Sequence, residues 1–594
     1  MPIVNVNDVS GNSFDYVVIG GGTSGSALAA RLAEDSSLSV LVLEAGQENL
    51  NDPKIDMPGQ YGQTFGDTKY DWGFSTVKQP YCNDKQLGWS RGKALGGSSS
   101  MNFFCWIKPP AADIDAFEKL GNPGWNWENY AKVSRKTETF HLPAKELTDL
   151  YPHTYDPDFR GLSGPLHVAI PSHVHTVDKL VQETFVNKGV KPIKDPYGGD
   201  ISGTWIASAT MDPKTWKRSY AATSYLVPNL ARPNLNVLTE ALVSRVLLAD
   251  AKDADGNLTA TGVEFIVDGK SYTAKANKEV VVSAGAINTP KILELSGIGR
   301  SDVLSEIGVD VKLELPGVGE NVQEHVFFGV SFELKSDHAT LDKFADPAFA
   351  AKQVELFAEG KGLFRTGITS FAYVPLAVAN PNGAPAFYEK AAAEVKALKA
   401  KGIHPGLAEQ LDIQLDILRD ETQPEFELVA FPAFFTGISK PESGKSYVSI
   451  LGMLNHPLSR GTIHATSKDP KEHPAYLEIL VEQVKYIRSM IQTEPFKSGV
   501  VREVDPGPNV QTDEQMRDYV KNHLSSTWHT VGSCSMLPKE KQGVVDLELK
   551  VYGTSNLRVV DLSIVPLHIA AHTQATAYVI GEKAAEFIKA GLKK

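Results

Sequence analysis

Two histidines near the carboxyl terminus have the residue type and the setting for proton transfer. His529 lies in SSTWHTVGSC (525–534), between a large aromatic residue and a run of small ones, and His572 lies in AAHTQATAY (570–578). A histidine can act as a general base, for example beside a cofactor, because the pKa of its imidazole lies near neutral pH.

The residues alone leave other interpretations of His529 open. It could bind zinc with Cys534, form half of a nucleophile pair, or be a buried histidine of the core. A zinc site would need a second His/Cys pair at ligand spacing, and the sequence offers none. A serine hydrolase would need a G-x-S-x-G turn, which is also absent. No metal site is therefore expected.

A glycine-rich turn near the amino terminus predicts a dinucleotide site. The order along the chain is a strand (16–19), glycines at 20, 22 and 25, a helix (26–34), a second strand (39–43) and Glu44. Glycines allow a sharp turn and close approach to a pyrophosphate, whose charge is stabilised at the helix amino terminus. The carboxylate that ends the second strand would accept hydrogen bonds from a ribose.

The sequence favours FAD over NAD as the dinucleotide. An enzyme that passes electrons from NAD(P)H to a flavin usually needs a second dinucleotide fold, and GIGRSD and GVGENV both lack the third glycine. A single, tightly bound flavin can be reduced and reoxidised without leaving its site, so one dinucleotide site suffices.

Several further motifs give the chain a specific resemblance. They are VVIGGGTSG, VLEAG, YDWGFST (70–76), WSRGKALGGSSSMN (89–102), VVSAGAINTPKILELSGIG (281–299), LPGVGENVQEH (315–325), NHPLSRGTIHATSKDP (455–470), WHTVGSC (528–534), LRVVDLSIVP (557–566) and AAHTQATAYVIGEKAAEFI (570–588). With them the whole chain resembles the glucose–methanol–choline (GMC) family of FAD oxidoreductases, closest in character to fungal aryl-alcohol oxidases.

The resemblance implies an α/β fold in which a Rossmann-like FAD-binding domain is interleaved with an α+β substrate-binding domain. The FAD domain would comprise 1–110, 236–325 and 525–594, and the substrate domain 111–235 and 326–524. It also implies that His529 and His572 are catalytic. His529 would remove the hydroxyl proton of an alcohol while the carbon-bound hydrogen leaves as hydride, and His572 would hydrogen-bond the same oxygen and fix its orientation. The cofactor-binding residues would be Gly20, Gly22, Thr23, Ser24, Gly25, Glu44, Ala45, Trp72, Arg91, Gly96, Gly97, Ser98, Asn102, Phe103, Val243, Ser283, Ala284, Trp528, Asp561, Leu562, Thr573 and Gln574.

The chain departs from the family pattern at a few places. Lys108-Pro109 replaces the usual Arg-Gly, and NVQEH (321–325) replaces Asn-Leu-Gln-Asp-His. About a dozen residues are missing near 470–480, which puts the local pocket or an inter-domain contact in doubt. Met101 occupies the position at which some relatives attach FAD through a histidine, so the flavin is expected to be non-covalent.

Aromatic residues favour a flat, apolar alcohol. Phe103 and Trp528 lie where aryl-alcohol oxidases also carry aromatics, and Phe431, Phe434 and Phe435 are further candidates. The resemblance therefore implies oxidation of primary, aryl or unsaturated alcohols by hydride transfer to flavin N5, with O2 or a quinone as acceptor. The alternatives are a sugar oxidase or dehydrogenase of the same family, a non-redox flavoprotein like the hydroxynitrile lyases, or a flavin-binding protein without catalysis.

Composition narrows the possible partners. The formal charge of −12 and the lack of a basic stripe argue against nucleic acid. No apolar run approaches the ~18 residues needed to cross a bilayer. With three scattered cysteines and no signal-like amino terminus, a cytoplasmic location is expected, although a mature secreted form stays open.

Overall fold

The computed structural model describes residues 3–151, 155–335, 338–436, 438–465 and 477–592. Across its first seven-stranded sheet, six neighbouring strands follow in the order 235–238, 40–43, 13–19, 270–282, 260–267 and 242–248. The seventh strand, 557–559, pairs with 270–282. The strands are Ser13–Ile19, Val40–Leu43, Leu235–Leu238, Leu242–Leu248, Ala260–Val267, Lys270–Val282 and Leu557–Val559.

The parallel strands of this sheet end at one edge. Ile19 pairs with Leu43 on one side and with Val282 on the other, and Val282 also pairs with Val559. Apolar, β-branched residues dominate these strands, as is typical of parallel strands covered on both faces. The residues just after the strands therefore meet at the carboxyl edge, where open α/β sheets bind their ligands.

The second seven-stranded sheet is antiparallel and is placed beside this edge. Its strands are Gly203–Ile206, Val326–Leu334, Ser370–Val374, Phe426–Phe431, Ser446–Leu454, Val500–Asp505 and Ser525–Ser526. Its central strands are buried along their whole length. Helices that include Thr176–Asn187, Pro405–Arg419 and Leu477–Ser489 contribute apolar side chains to the hydrophobic cluster around this sheet.

Smaller elements complete the described part of the chain. Short strands are Phe74–Ser75, Gly88–Trp89, Cys105–Trp106, Glu138–His141, Leu166–Ala169, Ser208–Ala209, Met211–Asp212, Lys217–Arg218, Ile298–Gly299 and Leu313–Glu314. The other α-helices are Val6–Val9, Thr23–Leu32, Pro53–Asp56, Ala111–Lys119, Trp127–Thr137, Lys145–Leu150, Gly285–Leu295, Ser301–Glu306, Pro347–Ala358, Leu376–Ala379, Ala384–Ala400, Phe496–Gly499, Asp513–His523 and Gln574–Gly591. None of the helices described is both long and apolar enough to cross a bilayer.

The strand–helix–strand unit predicted at the amino terminus is present, with shifted bounds. The helix runs over Thr23–Leu32 rather than 26–34, because Gly22 is its N-cap and the turn after the strand is very short. Most of the shortened segment near 470–480 lies outside the described residues. The two-domain boundaries remain a prediction; at one of them, Ser525–Ser526 pairs with the second sheet although it lies in a piece assigned to the FAD domain.

Candidate active site

A cavity of about 340 Å³ opens at the carboxyl edge of the first sheet and continues to the second sheet. It collects residues from widely separated parts of the sequence. The predicted site residues that line it are Gly20, Gly22, Thr23, Ser24, Glu44, Ala45, Trp72, Arg91, Gly97, Ser98, Asn102, Phe103, Val243, Ser283, Ala284, Trp528, His529, Asp561, Leu562, His572, Thr573 and Gln574.

Two predicted glycines do not line the cavity. A Cβ on Gly25 would lie 2.2 Å from the Gly20 carbonyl oxygen, so Gly25 allows the helix to pack against the strand turn. A Cβ on Gly96, which has a φ of +90°, would lie 2.6 Å from the ring of Tyr220. Both glycines shape the backbone behind the site rather than its surface.

The two glycine loops form a close-packed cradle. A Cβ on Gly97 would lie 2.8 Å from the Cα of Gly22, and one on Gly20 would lie 2.4 Å from the Ser283 carbonyl oxygen. Gly22 is the N-cap of Thr23–Leu32 and has no side chain to satisfy the first-turn N–H groups. Such a helix terminus suits the pyrophosphate of a dinucleotide.

Acidic residues end two strands of the sheet and bind backbone amides. Glu44 accepts hydrogen bonds from the Gly21 and Gly46 N–H groups at 2.9 and 2.8 Å, and burial raises its pKa to about 7. Asp561 accepts from the Gly285 N–H and the Thr289 hydroxyl at 2.9 and 2.6 Å. Both carboxylates fix the loops of the cavity, and each keeps lone pairs for a ligand hydroxyl.

Asn102 is held from three sides at the centre of the site. Its side-chain oxygen accepts from Arg218 at 2.7 Å and from the Phe104 N–H at 3.1 Å, while its amide donates to Gln574. Gln574 begins the helix Gln574–Gly591, whose amino terminus therefore faces the cavity. Arg218 was not anticipated from the sequence.

His529 is a neutral imidazole in the cavity wall. Burial, and next the charge of His572, hold its pKa well below the ordinary value. Its backbone N–H donates to Glu324 at 2.6 Å, and Glu324 also accepts from the Thr530 hydroxyl at 2.6 Å. Arg91 donates to the Trp528 carbonyl at 2.5 Å and thereby anchors the same turn.

His572 has a different protonation state because it has an acidic partner. Its Nε2 lies 2.6 Å from Oε1 of Glu427, which is fully buried. Burial alone would lower the pKa of His572, but the charge of Glu427, together with hydrogen bonds to Cys105 and Glu427, outweighs it and raises the pKa to about 10. The rings of His529 and His572 are 4.8 Å apart. The cavity therefore presents a neutral imidazole beside an imidazolium.

Aromatic rings wall the part of the cavity next to the histidines. The Phe65 and Trp528 rings are 4.7 Å apart, Phe103 stacks on Trp528 at 6.1 Å, and the Phe431 and Phe435 rings are 4.5 Å apart. Phe434, a sequence candidate, does not line the cavity, because its ring packs on Tyr447 at 5.2 Å.

Sequence reasoning missed the carboxylate that sets the charge of His572. Glu427 lies in FELVAF (426–431), a strand whose residues are all buried. A lone carboxylate inside an apolar run is a signal in itself, because a buried charge needs a partner. Glu324 lies in the motif NVQEH, but the sequence alone assigned it no role.

The donor set of the cavity fits FAD. The Gln574 Nε2 and Trp528 Nε1 atoms are buried in its wall and have no partner among the protein groups described. Among the described residues, no group of three or more His, Cys, Asp or Glu side chains could hold a metal ion.

Comparisons with known proteins find relatives over nearly the whole chain. Two sequence models described as GMC oxidoreductase match residues 14–327 and 457–581. Mala s 12, a GMC oxidoreductase family protein of Malassezia sympodialis, is 35% identical over 98% of this chain and 93% of its own length. An FAD-dependent oxidoreductase from Chaetomium thermophilum superposes with a TM-score of 0.87 at 27% identity, covering 98% of this chain and 100% of that one. A fungal aryl-alcohol oxidase gives a TM-score of 0.86 at 28% identity, covering 98% and 99% of the two chains.

Proposed function

Because this chain belongs to the GMC oxidoreductase family and takes FAD as its cofactor, we propose that it oxidises primary alcohols, aryl or unsaturated, to aldehydes. The observation that carries the proposal is the pair of histidines in one aromatic-walled cavity. His529 is neutral and can accept a proton, whereas His572 is held charged by Glu427.

The two imidazoles have different roles at the alcohol oxygen. His529 removes the hydroxyl proton, since its lowered pKa keeps its lone pair available at neutral pH. His572 donates a hydrogen bond to the same oxygen and stabilises the negative charge that develops there. Bound FAD would supply the hydride acceptor, its N5 atom, and O2 or a quinone would be the final electron acceptor.

The two glycine loops and the residues around them would make the contacts with FAD. The Thr23–Leu32 helix terminus would hold the pyrophosphate, and Glu44 would accept hydrogen bonds from the adenosine ribose. Asn102, Thr573 and Gln574 would face the isoalloxazine ring. Met101, in the cavity wall, offers no group for a covalent link, so the FAD is non-covalent.

The substrate class rests on the aromatic wall. Phe65, Phe103 and Trp528 offer flat apolar contact next to His529, and a heavily hydroxylated sugar would need many polar partners there. A sugar oxidase or dehydrogenase is the alternative within the family. A cytoplasmic location also stays a prediction; Cys82, Cys105 and Cys534 are free thiols, as is usual in a reducing compartment.

An alcohol panel under anaerobic conditions tests the proposal. Aryl and unsaturated primary alcohols should bleach the flavin absorbance much faster than glucose does, and parallel turnover with O2 and with a quinone identifies the acceptor. If sugars bleach the flavin faster, the proposed substrate class is wrong and the sugar oxidase or dehydrogenase alternative is favoured. A flavin that stays oxidised with every alcohol would favour a non-redox role of the lyase type.

A further inference from the structure

A third histidine, His325, lies directly behind His529 and is fully buried. Its Nε2 is 2.9 Å from the backbone carbonyl oxygen of Asn455. A carbonyl oxygen only accepts hydrogen bonds, so Nε2 of His325 must carry a proton. Burial, and next the neighbouring His568, hold the pKa of His325 well below its ordinary value. The ring is therefore neutral, and its Nδ1 carries a lone pair.

That lone pair faces His529. The Nδ1 atoms of His325 and His529 are 3.1 Å apart, which is hydrogen-bond distance. Two lone pairs cannot bond each other, so the proton between the rings belongs to Nδ1 of His529. The Thr527 hydroxyl oxygen is also 3.1 Å from this Nδ1 and can accept from it, because the hydroxyl proton has other acceptors in the His325 carbonyl oxygen at 3.1 Å and in Glu324 at 3.4 Å. Both neighbours of Nδ1 can thus accept its proton.

We propose that His325 is a positioning residue that fixes the tautomer of His529, with the proton on Nδ1 and the lone pair on Nε2. The proposal rests on the proposed function, in which His529 removes the substrate proton. A base with its lone pair on Nδ1 would bond His325 and present an N–H to the alcohol, which is the wrong group for proton abstraction.

His568 belongs to the same cluster but acts on the backbone. Its ring stacks on His325 with centroids 3.6 Å apart. Its Nδ1 accepts from the Ile569 N–H at 2.9 Å, so its Nε2–H donates to the His529 carbonyl oxygen at 3.0 Å. His568 therefore supports the ring of His325 without touching the titrating atoms of His529, which makes it a matched control.

The direct test is nitrogen NMR of the FAD-loaded enzyme labelled with ¹⁵N-histidine, with the His529 signals identified by their loss in His529→Asn. We expect a protonated Nδ1 and an unprotonated Nε2 in the wild type at neutral pH. In His325→Leu only the Thr527 hydroxyl remains beside Nδ1, and because a hydroxyl can donate as well as accept, both tautomers should be populated. His325→Asn should restore the wild-type state, because its Oδ1 takes the place of Nδ1 and accepts the same hydrogen bond.

Flavin reduction provides the second readout. His325→Leu should reduce the flavin about 10- to 100-fold more slowly, as expected when the orienting partner of a functional group is lost. The alcohol concentration that gives half-maximal rate should change little. His325→Asn should recover most of the rate, and His568→Gln, which keeps the donor to the His529 carbonyl, should stay within a few-fold of wild type.

The outcomes separate this inference from the proposed function. A wild-type His529 protonated on Nε2 overturns the tautomer assignment whatever the rates are, including when His325→Leu fails to fold or to hold FAD. Equal loss in His325→Leu and His325→Asn, with His529 unchanged in both spectra, also overturns it. If His529→Ala reduces flavin normally, the proposed function fails, while the tautomer measured by NMR stands.

Discussion

Replacing Glu427 by glutamine should remove the charge on His572 and little else. Glutamine keeps the size of the side chain and one oxygen to accept from Nε2, but the carboxylate that raises the pKa of His572 to about 10 is gone. Burial then dominates and leaves the imidazole neutral at pH 7. A hydrogen bond from a charged donor to the developing alkoxide is worth ~1.5–3 kcal/mol, so flavin reduction should slow roughly 10- to 150-fold.

The assay is anaerobic stopped-flow reduction of the FAD-loaded variant by a good alcohol substrate at several pH values. In Glu427→Gln, the decline in rate that His572 causes near pH 10 in the wild type should disappear from the basic range. Glu425→Gln is the matched control, because Glu425 is equally buried two residues earlier but binds the Leu376 N–H at 2.6 Å. It should reduce flavin at the wild-type rate.

Two results would refute this reasoning. A Glu427→Gln rate within a few-fold of wild type would mean that the charge of His572 does not act on the alcohol oxygen. Equal losses in the Glu427 and Glu425 variants would mean that the segment 425–431 is merely sensitive to substitution. Retention of FAD by both variants must be established first from their absorbance spectra.

Three further predictions follow from the site. Acid precipitation should release all of the flavin into the supernatant, because Met101 offers no linkage; flavin fluorescence that stays with the denatured protein would contradict this. Glu44→Ala should weaken FAD binding at least tenfold, since each lost hydrogen bond to a carboxylate is worth ~1.5–3 kcal/mol. Retention of FAD on gel filtration and dilution measures this effect, and Glu44→Gln should lose less FAD. Unchanged FAD retention in Glu44→Ala would count against the site. The wild-type rate of flavin reduction should be constant from neutral pH to near pH 10. Well below pH 6.5 the rate should fall, because His529 gains a proton and can no longer act as a base. Above about pH 10 the rate should fall again, because His572 loses its proton. A rate that halves between pH 7 and 8 would contradict these assignments.

The residues predicted to hold the nucleotide could be brought together from the sequence because local rules determine their positions. Glycines at a strand–helix turn and an acidic residue at the next strand end are separated by short, fixed distances, and the structure places Gly20, Gly22 and Glu44 around one cavity. Gly96 is an exception, because it leaves room for the ring of Tyr220, which is far away in the chain. Gly25 does not line the cavity but packs against Gly20, the role that the third glycine of this motif usually has.

The charge state of the histidines could not be predicted from the sequence. His572 and Glu427 are far apart in the chain, and only the position of the strand Phe426–Phe431 brings them to 2.6 Å. The same is true of His325 and His529. Phe434 and Phe435 show a related problem, because both follow the end of the strand Phe426–Phe431, where no regular alternation tells which ring lines the cavity and which packs on Tyr447.

Anaerobic reduction of the His529→Ala variant tests the central claim most directly. The proposed role of His529 is in the transition state, so the variant should keep its fold and its flavin spectrum while alcohol-driven reduction slows by ~10²–10⁴-fold, the usual effect of removing a positioned general base. His572→Ala should also be impaired, and the double variant should lose less than the product of the two factors, because both residues act on one oxygen. A reduction rate within a few-fold of wild type in the flavin-loaded His529→Ala variant would contradict the account.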